Sequence, residues 1–245
     1  MRDEFMSYLA AATKVIVVAV LLGESFLAVT RLLRPVDFFA AENATIIAPV
    51  VAPLVVHTLI IALAWILVRQ PVMSFVGPGG NRKSVTTAIM IVGPGWLALA
   101  ATAAAATSIW IPVSLHGARD PELARPPAFW WLATVMLAPI LEELVYRGLV
   151  SPRLRRDCGN LAGSYFAAVL FAWVHTGPTL AGILAGNPGG VPPGPLLLAL
   201  IADWLYLEFR SIWVPVAFHA ACNATPAVFG NLDPRWLRWL GELYQ

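Results

Sequence analysis

Three short segments of this chain set ionisable side chains inside apolar sequence. The first reads Ala138-Pro139-Ile140-Leu141-Glu142-Glu143-Leu144-Val145-Tyr146-Arg147-Gly148, the second Phe171-Ala172-Trp173-Val174-His175, and the third His219-Ala220-Ala221-Cys222-Asn223. Carboxylates, imidazoles and an amide are the groups that activate a water and hold an oxyanion. No serine or cysteine stands beside a histidine where it could act as a nucleophile, which disfavours covalent catalysis.

Spacing divides the labour. Glu143 and Arg147 are four apart and face each other on a helix, as an ion pair. Glu142 lies about 100° round the same helix, without that partner. It is the carboxylate left over to serve as a base. The bland alternative is that both acids pair with Arg147 to hold helices together. The stretches from Glu142 to Arg156 and from Asn160 to His175 are nearly equal, roughly 21–22 Å each at about 1.5 Å per residue. An antiparallel helix pair joined between them therefore presents Glu142 and His175 at one level, with Phe171 a turn away as a wall. His219 and Asn223 share one helix face, separated by small residues that let another chain come close. The chemistry these groups suit is peptide hydrolysis. Glu142 takes a proton from a water that His175 helps to hold, the hydroxide attacks a carbonyl, and His219 with Asn223 holds the oxyanion.

The elements that must carry these residues are membrane helices. Of 245 residues 59% are hydrophobic and 12% charged, against about half and about a quarter in soluble domains. The apolar residues come in runs long enough to cross hydrocarbon, near 11–30, 45–68, 86–113, 128–150, 161–178, 194–208 and 211–229. The expectation is an all-α polytopic bundle of about seven or eight spans around a membrane-embedded cavity. It divides into amino-terminal helices (1–127), catalytic helices (128–229) and an interfacial carboxy-terminal helix (230–245). Pro94 is expected to tilt, kink or break the third run. The uncharged Gly/Pro-rich stretch 178–193 reads as a surface loop or a re-entrant segment. Tryptophans gather near span ends, as interfacial anchors do. Lys and Arg favour the side of the amino terminus, which places that end inside. A net charge of +2, with no basic stripe, excludes a nucleic-acid partner. Cys158 and Cys222 fit no metal or redox spacing and read as reduced.

The three segments resemble the CAAX protease and bacteriocin-processing family of intramembrane proteases, also called the Abi family. Its pattern, Glu-Glu-x-x-x-Arg, then Phe-x-x-x-His, then His-x-x-x-Asn or Asp, occurs in order as Glu142-Glu143-x-x-x-Arg147, Phe171-x-x-x-His175 and His219-x-x-x-Asn223. The run Ser211 to His219 resembles the lead-in to the last motif, so the likeness covers about 128–229. It implies a helical membrane fold and a glutamate-activated water. It carries over Glu142 as base, His175 as its partner, His219 with Asn223 as oxyanion site, and Glu143, Arg147 and Phe171 as support. It implies no cofactor, a protein or peptide substrate that is lipidated or membrane-anchored in some members, contact with membrane lipid, and a bacterial plasma-membrane location. Departures are Ala199, Ala202 and Asp203, where members often carry glycines, and the long insert 178–193. Asp203 is expected to line the cavity or to pair with Arg210.

Three alternatives stay open. Glu142, His175 and His219 could ligate zinc, with Asn223 or water completing the shell, although no His-Glu-x-x-His motif is present. Glu24, His57 and Asp203 would suit a proton pathway. The motifs could also serve fold stability in a non-catalytic immunity protein. Taken singly, His57 reads as a packing or interhelical hydrogen-bond residue and Glu24 as hydrated near the interface.

Overall fold

A computed structural model describes residues 2–33, 41–68, 82–108 and 131–230, and among these the chain is helical without strands. The elements are α1 (Arg2–Leu33), α2 (Ala41–Val68), α3 (Arg82–Ser108), a π-helical segment π1 (Trp131–Leu137), α4 (Ala138–Glu143), a second π segment π2 (Leu144–Val150), α5 (Ser151–Cys158), α6 (Asn160–Val174), the one-turn α7 (Leu180–Leu184), α8 (Pro193–Phe209) and α9 (Trp213–Gly230). The interfacial helix expected at 230–245 and the ends of several expected spans lie outside the described residues.

From Trp131 to Cys158 the helix is continuous but uneven. Each π segment runs into a stretch with proline in its first turn, Pro139 in α4 and Pro152 in α5. A proline ring clashes with the carbonyl four residues back and removes a donor. A wider turn relieves that crowding, and such turns gather at functional sites. α3, by contrast, runs unbroken through Pro94. The sequence offers three or four helical outcomes at a proline, and only packing chooses among them.

The central helix is ringed by its partners. α1 packs on α2, α5 and α6; α2 on π1, α4 and π2; α6 on α5 and α8; α9 on α3, α4, π1 and α8. α5 and α6 form the expected antiparallel pair, joined at Gly159, whose φ of 84° suits glycine. Gly163 keeps the pair tight, because a Cβ there would come within 2.4 Å of the Arg155 backbone nitrogen. Alanines recur through the core among larger apolar residues, at Ala11, Ala19, Ala88, Ala167, Ala168, Ala199 and Ala202.

Among the described residues one helix, Phe5–Leu32, is long and apolar enough to cross a membrane, and shorter apolar helices cover Val51–Ala64, Ser84–Leu99 and Asn160–Val174. Large apolar side chains face outward along them, among them Leu21, Leu32, Leu63, Met90 and Leu161. The stretch expected as a loop or re-entrant segment is a well-exposed surface loop wound around α7.

Candidate active site

α4 and π2 carry the first motif into the middle of the bundle. Glu143 is fully buried and Arg147 nearly so. They meet two-pronged, Arg147 Nε to Glu143 Oε2 at 3.0 Å and Nη1 to Oε1 at 3.1 Å. The remaining Arg147 nitrogen, Nη2, donates to the Ala199 carbonyl of α8 at 2.8 Å. Alanine at 199 is small enough to let a guanidinium reach its backbone. Breaking such a buried pair by removing one partner costs about 3–5 kcal/mol, because the survivor is left charged and dry.

His219 of α9 enters between the two acids. Its Nδ1 lies 2.9 Å from Glu143 Oε1 and its Nε2 lies 3.7 Å from Glu142 Oε2. Glu143 thus has two duties: it binds Arg147 and it fixes the His219 ring. The i,i+4 rule showed the first. The second comes from a different helix 76 residues away, which local spacing cannot show. Glu142 is buried, and its Oε2 has no hydrogen-bond donor among the described residues; Glu143 Oε2 also lacks one but lies 3.0 Å from Arg147 Nε in the ion pair. A dry carboxylate oxygen without a donor is expensive to keep and ready to accept one.

Phe171 ties the two histidines together. Its ring centroid lies 4.5 Å from that of His175 and 5.7 Å from that of His219. Tyr146 packs edge-on against it at 5.0 Å, and the Arg147 guanidinium sits over its face at 5.2 Å. Phe171 is therefore level with residues 146–147, and His175 is a helical turn beyond, toward the level of Glu142. His175 itself stands just past the end of α6, with its side chain exposed. Its Nδ1 bonds the Phe171 carbonyl at 2.7 Å. That bond places the ring proton on Nδ1 and leaves Nε2 as an acceptor.

Asn223 is only partly gathered in. Its side-chain amide donates to the Thr134 carbonyl of π1 at 2.8 Å. One of its two amide hydrogens is thereby spent on tying α9 to π1, and one is left. Tyr146 and Thr134 are site neighbours that the sequence did not single out. Tyr146 carried a signal, being four residues after Glu142 and so on the same helix face. Thr134 carried none.

The other buried polar residues go elsewhere. Asp203 does not pair with Arg210. It accepts from Ser151 at 2.6 Å, from Arg155 Nη1 at 2.9 and 3.0 Å, and from Ser164. Arg210 stands at the end of α8 in the left-handed conformation, which turns it away from the helix line. His57 is a packing residue as expected: its Nδ1 bonds the Pro53 carbonyl at 2.7 Å and its ring meets Phe26 and Tyr146. Neither cysteine forms a disulfide among the described residues. Among the described residues no group of three or more His, Cys, Asp or Glu could hold a metal ion.

Residues 124–225, which contain Glu142, Glu143, Arg147, Phe171, His175, His219 and Asn223, match the profile of the Rce1-like family, the type II CAAX prenyl endopeptidases. A stretch of 116 residues is 28% identical to the UPF0177 protein YbdJ of Lactococcus lactis subsp. lactis (strain IL1403). That alignment covers 46% of this chain and 45% of the relative, so it spans less than half of either. No solved structure matches the chain.

Proposed function

We propose, from the premise that the carboxy-terminal half belongs to the CAAX protease and bacteriocin-processing family, that this protein is a multi-pass intramembrane endopeptidase of glutamic type. The observation that carries the reading is the open oxygen of Glu142, buried without a donor and facing His219 Nε2. A water donating one hydrogen to that oxygen and the other to His175 Nε2 would be held by both groups, with its lone pair free to attack. Glu142 takes the proton as the hydroxide adds to a peptide carbonyl, and returns it to the departing amine.

The oxyanion falls to His219 and Asn223. His219 donates through Nε2 when both ring nitrogens carry protons. Asn223 offers its second amide hydrogen while the first holds Thr134. Phe171 walls the site and separates the two imidazoles. The substrate is a protein or peptide that reaches the site through lipid. The outward-facing apolar side chains of α1 and α2 supply the lipid contact, in a plasma membrane of bacterial type.

The test uses the purified protein in lipid vesicles with peptides carrying a carboxy-terminal Cys-containing box, prenylated and not. In H218O the new carboxylate should carry one 18O atom, and cleavage should persist in EDTA. Loss of cleavage on chelation, with recovery on adding zinc, would overturn the glutamic mechanism in favour of a metalloprotease built on the same residues.

A further inference from the structure

Two features that the proposed reaction does not use meet each other: Glu24, an acid inside the apolar helix α1, and the long uncharged loop after His175. An acid in such a helix is costly and needs a partner. Glu24 Oε1 accepts from the Leu180 backbone N–H at 2.9 Å, at the first turn of α7. Beside it, a Cβ on Gly23 would come within 1.8 Å of the Pro178 carbonyl oxygen. Glycine at 23 is thus what lets α1 lie directly on the loop backbone.

The rest of the loop folds back onto the flanks of His175. The chain turns at Gly177, passes α7, and returns through Gly186 and Gly189, all three at positive φ. On its return the Pro188 carbonyl accepts from Trp173 Nε1 at 2.8 Å, and the Gly190 carbonyl accepts from Thr176 Oγ1 at 3.0 Å. Gly189 leaves room for this, since a Cβ there would lie 2.6 Å from Thr176 Oγ1. Trp173 and Thr176 bracket His175, which stands outside α6 on an exposed turn. The backbone that carries His175 is therefore buttressed by the strap, and the strap is fastened to α1 at Glu24.

We propose that Glu24 is a positioning residue for the hydrolytic site, acting through the Leu180 amide to hold the strap of residues 176–191 and, through it, His175. The inference rests on the reading of His175 as the histidine that holds the water. It brings into the site a helix that lies outside the matched stretch 124–225.

Glu24→Ala, Glu24→Gln and Leu180→Pro test it in the full-length protein in lipid vesicles. Leu180→Pro deletes the donor without touching α1. It should be tolerated, because Thr179 before it is already extended, at φ −120° and ψ 155°, and position 180 opens a helix. The readouts are hydrogen exchange of residues 180–186 and kcat separated from KM on a cleaved peptide. Glu24→Ala and Leu180→Pro should each speed exchange and lower kcat roughly tenfold or more, as misplaced catalytic groups do. Their combination should be no worse than either alone. Glu24→Gln, which keeps an acceptor oxygen, should restore both readouts. Unchanged exchange in Glu24→Ala would remove the fastening. Faster exchange with unchanged kcat would leave a fastened strap but overturn its positioning role. A parent protein that cleaves nothing while the exchange pattern holds would defeat the proposed hydrolysis, and with it the positioning of a catalytic site, yet leave the fastening in place.

Discussion

The central helix carries two buried ionic clusters, two turns apart, and they are finished differently. Around Asp203, every direction is closed: Ser151, Ser164 and Arg155 all donate to its carboxylate. Around Glu142 and Glu143, one carboxylate is held by Arg147 and His219, its Oε2 by ion pairing alone, while the other keeps an oxygen with neither a close ion pair nor a hydrogen-bond donor among the described residues. Both clusters brace the central helix against α8, through Ala199 in one case and Asp203 in the other. The difference teaches how to tell a lock from a site when both are buried and charged. A lock satisfies all its acceptors, whereas a site keeps one open for something that arrives later.

That contrast can be broken or sharpened by substitution. The largest effect should come from Arg147→Met, which strands Glu143 in the core and frees the ring it orients. Stability should fall by about 3–5 kcal/mol, seen as a lower unfolding midpoint in detergent, and hydrolysis should be lost with it. Asp203→Ala should cost a similar amount by stranding Arg155. The molecules that remain folded should cleave peptide at a rate within about twofold of the parent, since a lock is not a site. A large fall in kcat per folded molecule would erase the distinction. Asn223→Ala should lower kcat about 10²-fold, as loss of one oxyanion donor does, and stability by only about 1 kcal/mol for the Thr134 bond. The smallest effect lies outside both clusters. Partial burial and Asp157 push the Cys158 thiol above its ordinary range, and Lys14 opposes them. Alkylation of Cys158 should be slow at neutral pH, speed up as pH rises, and slow further in Lys14→Met.

Much of this arrangement could be read in the sequence. The Glu143–Arg147 pair follows from four-residue spacing. The approach of Phe171 to Tyr146 and Arg147 follows from equal helix lengths on either side of Gly159. Elsewhere local rules gave no purchase. Asp203 was assigned to the cavity or to Arg210 because Arg210 is near in sequence; the partner is Arg155, brought there because α8 packs on α6, which is paired with α5. Arg147, Ser151 and Arg155 recur every four residues, and that stripe was the available signal for a polar face toward α8. The π segments were not legible, because a proline can kink, widen or pass unnoticed in a helix, as Pro94 does in α3. Glu24 was read as hydrated, since nothing in α1 reveals that a loop amide 156 positions away lies on it.

The most direct test of the account is the hydrolysis rate of Glu142→Gln beside its thermal unfolding. Gln preserves the size of the side chain and removes the base. Cleavage should fall by about 10²–10⁴-fold while the unfolding midpoint stays at or above that of the parent, because a buried carboxylate oxygen without a donor has been taken away. A folded Glu142→Gln protein that cleaves peptide at the parent rate would contradict it.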